Sequence, residues 1–136
     1  MIPNLSLAAS EDATSVLIVD DSGPYAQALA MGLRMDGYST RVALSVREAL
    51  DLVGQQRPHC LLMDFGMDEF DGLNLVHTLR ADHRDDIVII MVTGWDATQP
   101  RVAQAAMLVD HHYTKPFHLD DLRRILPPLN AARRAP

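Results

Sequence analysis

Asp20 and Asp21 stand together directly after the apolar run Val16-Leu17-Ile18-Val19, and Asp64 follows Cys60-Leu61-Leu62-Met63. Thr93 closes the run Ile87 to Val92, and Lys115 comes just after His111 to Thr114. If these runs are neighbouring parallel strands, three carboxylates, a hydroxyl and an ammonium group meet at one sheet edge. Carboxylates at close quarters repel, and away from water they must either protonate or take a cation. Oxygen donors select a hard ion. Mg²⁺ suits such a shallow site because it keeps several waters and shares carboxylates with phosphate oxygens, whereas zinc would want His or Cys. A carboxylate beside such a cation is a competent nucleophile toward a phosphoryl group. Asp64, single at the end of a central apolar run, is the expected nucleophile. Asp20 and Asp21 are placed to hold metal, directly or through water. Lys115 and the Thr93 hydroxyl are placed to contact phosphoryl oxygens.

The elements that must position these residues can be read from the pattern. Continuous apolar, β-branched runs are expected of strands covered on both faces. Weaker strands are expected at Thr40 to Leu44 and near His111 to Thr114. Between strands, Ala26, Leu29, Ala30 and Leu33 share one helical face, and Asp36-Gly37 supplies a C-terminal glycine stop. Ser45-Val46-Arg47-Glu48 is a capping box for a second helix that Gly54 should end. Leu73, Val76, Leu79 and Arg80 mark a third, and Arg101 to Leu108 a fourth. The last starts near His118, with Asp120-Asp121 early and Arg123-Arg124 late, before Pro127-Pro128 stops it. Strict alternation with short connections predicts a doubly wound parallel α/β sheet of five strands, whose ligands bind at the carboxyl ends of the strands. The chain divides into a leader at 1–14, one domain at 15–128 and a tail at 129–136.

Composition narrows the classes. With 136 residues, 48% of them hydrophobic, one domain with a real core is expected. Against 18 acidic residues stand only 12 Lys and Arg, a formal net charge of −6 that argues against direct nucleic-acid binding and against an anionic membrane surface. The one cysteine, Cys60, lies in an apolar run and reads as a small core hydrophobe. Ile87 to Val92 is far too short to span a bilayer, and a cytoplasmic setting is expected.

The ordered set Val19-Asp20-Asp21-Ser22, Leu62-Met63-Asp64-Phe65-Gly66-Met67 with Asp71-Gly72, Val92-Thr93-Gly94-Trp95 and Lys115-Pro116-Phe117 closely resembles the receiver domain of two-component response regulators. The likeness runs from about Ser15 to Leu126 and implies a flavodoxin-like (βα)5 fold. It implies that Asp64 accepts a phosphoryl group from a phosphohistidine on a sensor histidine kinase or histidine phosphotransfer protein. The receiver itself would catalyse the transfer and a slow autodephosphorylation, without being a conventional enzyme. Mg²⁺ would rest on Asp21, Asp64 and the main-chain carbonyl of Gly66, with Asp20 acting through water. The Lys115–Pro116 bond is expected to be cis. The fourth helix, fifth strand and fifth helix would dock a downstream target or effector domain, or form a homodimer.

Three positions depart from the family pattern. The switch aromatic, three residues before the lysine, is His112 here, while Tyr113 should face the other way. A titratable imidazole there would couple switching to pH, and a plain surface variant is the simpler reading. Asp68 stands where proline is frequent and should face solvent. Trp95 folded over the site would shield an acyl phosphate from water. Other readings are weaker. His111, His112 and His118 suggest a transition-metal site but lack matching Cys or Asp ligands. Haloacid dehalogenase phosphatases need a second Asp where this chain has Gly66. A phosphate-independent receiver-like module would be expected to lose one of the five key residues, and all are present. The chain is either a stand-alone regulator or a receiver segment of a larger regulator or hybrid histidine kinase.

Overall fold

The computed structural model describes residues 13–66, 69–94 and 99–129; Met67, Asp68 and Trp95 lie outside them, and so do most of the expected leader and tail. Strands β1 (Ser15–Val19), β2 (Ser39–Ala43), β3 (Cys60–Asp64), β4 (Val88–Thr93) and β5 (His111–Thr114) alternate with helices α1 (Gly23–Met35), α2 (Val46–Gln55), α3 (Glu69–His83), α4 (Pro100–Ala106) and α5 (Leu119–Ile125). All strand pairs are parallel, in the order β2-β1-β3-β4-β5. The expected doubly wound sheet is therefore present. Chain direction across the sheet reverses between β1 and β3, and their carboxyl ends bear Asp20 and Asp64.

Side-chain alternation divides the core between two faces. Val16 and Ile18 of β1 pack with Ala26, Leu29, Ala30 and Leu33 of α1 and Leu122 of α5. Leu17 and Val19 pack with Ala49 and Val53 of α2, with Leu75, Val76 and Leu79 of α3, and with Val102 and Ala105 of α4. β1, β3 and β4 are buried on both faces, which explains their unbroken apolar sequences. Cys60 is wholly buried, and burial pushes its thiol far above the ordinary range, in keeping with a core role. Phe65, also wholly buried, lies so close to α3 that a Cβ on Gly72 would come within 3.1 Å of its ring. A side chain there would require the Phe65 ring to give by a few tenths of an ångström.

Local stops match the sequence in part. Gly37 has φ +106°, a left-handed conformation that glycine adopts without strain, and it ends the turn after α1. Ser45 accepts from the Glu48 N–H at 3.1 Å, so the expected cap forms, but the Glu48 carboxylate reaches back to Leu44 N at 2.7 Å, one residue before the Ser45 N–H that a capping box would use. Gly54, in contrast, does not end α2. The helix continues to Gln55 and stops at extended Gln56, just before Pro58. β2 begins one residue before the expected Thr40, because Ser39 N donates to Thr14 O at 3.0 Å and extends the pairing.

The edge opposite the acidic cluster is also fastened. Thr14 is fully buried, its N–H donates to Leu129 O at 2.6 Å and its hydroxyl to Pro128 O. Thr14 and Leu129, assigned from sequence to leader and tail, thus belong to the packed unit. Nearby, His59 Nδ1 accepts from Ser15 N at 2.9 Å and lies 3.1 Å from Ser15 Oγ. Burial, then Arg57, lowers the pKa of His59 from 6.5. A proton on Nδ1 would eject the Ser15 N–H, so the stabilisation is complete above about pH 6.5 and is lost as pH falls through the lower folded value. His59→Ala should therefore cost about 1 kcal/mol at pH 7.5 and markedly less at pH 5.5. Urea midpoints of both proteins at both pH values check this; a pH-independent difference would contradict it.

Candidate functional site

Each strand end delivers one part of the site. β1 runs into Asp20, whose side chain is 4% exposed and accepts from Ser22 N at 2.8 Å, forming the turn into α1. Asp21, next in sequence, is exposed. β3 ends on Asp64, which accepts at Oδ1 from Gly66 N at 3.0 Å. One carboxylate oxygen from each of Asp20, Asp21 and Asp64 lies within 4.8 Å of the others. Among the described residues this is the one group of three potential ligands within reach of a single ion, and His111, His112 and His118 form none.

Electrostatics agree with that crowding. Burial raises the pKa of Asp20, opposed by its bond from Ser22 N, and the negative charges of Asp64 and Asp21 raise it further. A compact set of hard oxygen donors with excess negative charge fits a small divalent cation better than it fits nothing. Lys115 offsets part of this charge, its Nζ standing 3.2 Å from each oxygen of Asp64. The main-chain N–H of Lys115 donates to Thr93 O at 2.9 Å, which joins the lysine loop to the end of β4. Thr93 is wholly buried, one residue beyond Val92, the partner of Asp64 in the β3–β4 register. The Lys115–Pro116 bond is cis, as expected.

An open pocket of about 640 Å³ covers these groups and is bordered by Tyr25, Pro116 and His118 as well as by the carboxylates. It is large enough to admit a phosphoryl donor. Tyr25 escaped the sequence reading. Its position one helical turn after Asp21 is the signal that could have found it.

The switch position is more enclosed than a surface residue would be. His112 is opposite Met91 of β4, whose side chain lies in the α2–α4 layer, and its Nε2 is shut off from solvent with no hydrogen-bond partner among the described residues. Burial lowers its pKa from 6.5. Tyr113 faces the opposite layer, with its ring 5.2 Å from that of Phe117, as strand alternation requires.

Comparison with known proteins gives these features a class. Residues 16–127 match the family model described as response regulator receiver domain, and the chain belongs to that family. It is 36% identical over 107 residues to the response regulator MprA of Mycolicibacterium vanbaalenii, an alignment covering 79% of this chain and 46% of the relative. MprA of Mycobacterium avium matches to the same extent. The chain thus spans about half the length of these curated relatives. A response regulator receiver protein from Pseudomonas putida superposes with a TM-score of 0.73 at 30% identity, covering 85% of this chain and 96% of the other. A response regulator from Burkholderia pseudomallei, solved with a phosphorylated aspartic acid, calcium ion and citrate, gives 0.73 at 29% identity over 89% and 70% of the two chains. No described helix is long and apolar enough to cross a membrane.

Proposed function

We propose that this domain accepts a phosphoryl group on Asp64 from a phosphohistidine of a sensor histidine kinase or histidine phosphotransfer protein. The observation that carries this reading is the placement of the Asp64 carboxylate 3.2 Å from the Lys115 ammonium and within ligand reach of Asp20 and Asp21. An Asp64 oxygen attacks phosphorus in line; the phosphorus–oxygen bond forms as the donor's phosphorus–nitrogen bond breaks, and the imidazole leaves after taking a proton. Lys115 exchanges part of its pairing with Asp64 for a phosphoryl oxygen, and the Thr93 hydroxyl donates to another. Asp21, Asp64 and the Gly66 carbonyl, with Asp20 through water, would hold Mg²⁺, which when bound neutralises charge on the oxygens in transfer. The metal- and phosphate-bearing Burkholderia relative supports that assignment.

Output follows from a changed surface. As the family resemblance implies, Thr93 would move toward the phosphoryl group, and His112, at the position of the family's switch aromatic, would turn into the space vacated beside β4. α4, β5 and α5 form the face that meets a downstream protein, an effector domain or a second copy. The net charge of −6 favours protein partners over nucleic acid for this domain.

Incubation with Mg²⁺ and acetyl phosphate should add one phosphoryl mass to the wild type and none to Asp64→Ala or to wild type in EDTA. Equal uptake by the Asp64 variant would refute the assignment.

A further inference from the structure

We infer that Tyr25 is a positioning residue for phosphoryl transfer at Asp64, a role that rests on the reading of Asp64 just given. Its ring forms one wall of the crevice that also contains Asp20, Asp64 and Lys115. Its hydroxyl donates to the main-chain carbonyl of Phe117 at 3.3 Å. Phe117 is two residues from Lys115, so this bond fastens α1, which follows the acidic pair, to the loop that carries the ammonium group. Other anchors of the loop include Lys115 N on Thr93 O at 2.9 Å, the Lys115–Asp64 ion pair, and the Phe117 ring, 7% exposed, in the α1–α5 layer. None of these is a hydrogen bond to α1. The Lys115 side chain is itself 46% exposed, and its Nζ pairs with the Asp64 carboxylate at 3.2 Å, a pairing that a phosphoryl oxygen would share. The main-chain path at 115–117 sets how well its Nζ can keep that place once Asp64 shares it with a phosphoryl oxygen.

The hydroxyl stays a donor at any physiological pH, because burial and then Asp20 raise the phenol's pKa above its usual value of 10. A neutral hydrogen bond at a partly exposed site is worth roughly a threefold to tenfold change in an equilibrium. Losing it should lower by that factor the fraction of molecules with Lys115 in place. A plain aromatic on the surface of α1, 43% exposed, would have no such effect.

A cycle of four full-length proteins separates the two: wild type, Tyr25→Phe, Lys115→Ala and the double variant. The second-order rate of phosphoryl uptake from acetyl phosphate in Mg²⁺ is followed by intact mass. Mg²⁺ affinity is read by calorimetry, and amide exchange is measured at Lys115, Phe117 and His118. Tyr25→Phe should slow uptake about threefold to tenfold in the wild-type background and less than twofold in the Lys115→Ala background. Exchange at the loop amides should quicken, with Mg²⁺ affinity unchanged. Wild-type uptake with Tyr25→Phe within twofold of it, or an equal loss in both backgrounds, would overturn the role of Tyr25 and leave Asp64 as acceptor. Absence of uptake by the wild type would overturn both.

Discussion

Asp20→Asn should make the metal-free domain more stable and, in the same stroke, deprive it of most of its chemistry. Asp20 is buried, and both burial and its acidic neighbours disfavour its ionised form. An acid whose folded pKa lies above its unfolded value of 3.8 costs stability as pH rises through that interval, and the full cost is present at neutral pH. Asparagine removes the charge and keeps an oxygen for the Ser22 N–H. In EDTA at pH 7, the variant should have a higher urea midpoint than the wild type. Mg²⁺ at ten times its Kd should stabilise the wild type by roughly 1.4 kcal/mol, and the variant at the same concentration far less. Metal affinity, and phosphoryl uptake at limiting Mg²⁺, should fall about 10- to 100-fold. A variant less stable than wild type in EDTA would show that repulsion among the three carboxylates is not what their proximity implies.

Arg80→Ala should be the most destabilising single change outside the apolar core, at about 3 kcal/mol. The guanidinium, 15% exposed, donates to Leu108 O at 2.7 Å, Arg84 O at 2.7 Å, Ile87 O at 2.8 Å and Asp110 Oδ2 at 2.7 Å. Asp110 in turn accepts from Ile89 N at 2.8 Å. One side chain thus joins the end of α3, the start of β4 and the turn before β5, and its loss strands three carbonyls. Lysine cannot reproduce this planar fork and should recover less than half of the loss. Chemical denaturation of the two variants decides it, and a loss below about 1 kcal/mol for alanine would contradict the clamp.

Arg80 also shows where a sequence stops being informative. As a letter it reads as the polar side of a helix, and its partners, 4 to 30 residues away, are mostly main-chain oxygens that carry no sequence signal. Tyr25 was hidden for the same reason, since its bond runs to a carbonyl 92 positions along the chain. Asp20, Asp21, Asp64, Thr93 and Lys115 were legible because each is a polar residue ending or following an apolar run, and parallel topology converts that pattern into proximity. Element boundaries were less so. Gly54 looked like a stop, yet its φ is not in the left-handed range and a Cβ added there would meet no atom within 4 Å, so nothing there obliges the helix to end. The enclosure of His112 was likewise invisible, because it depends on the layer packed over β4 and β5.

The bond between Thr14 and Leu129 has a wider meaning. Entry and exit of the domain share one pole, and Asp64, the proposed phosphoryl acceptor, lies at the other, across a strand of five residues or roughly 17 Å of sheet. The domain is in effect a bead strung from a single point. The two ends of the packed unit leave from beside each other, at the height of the bead away from Asp64, so a charge gained there as proposed would be felt at that pole through the sheet and helices between.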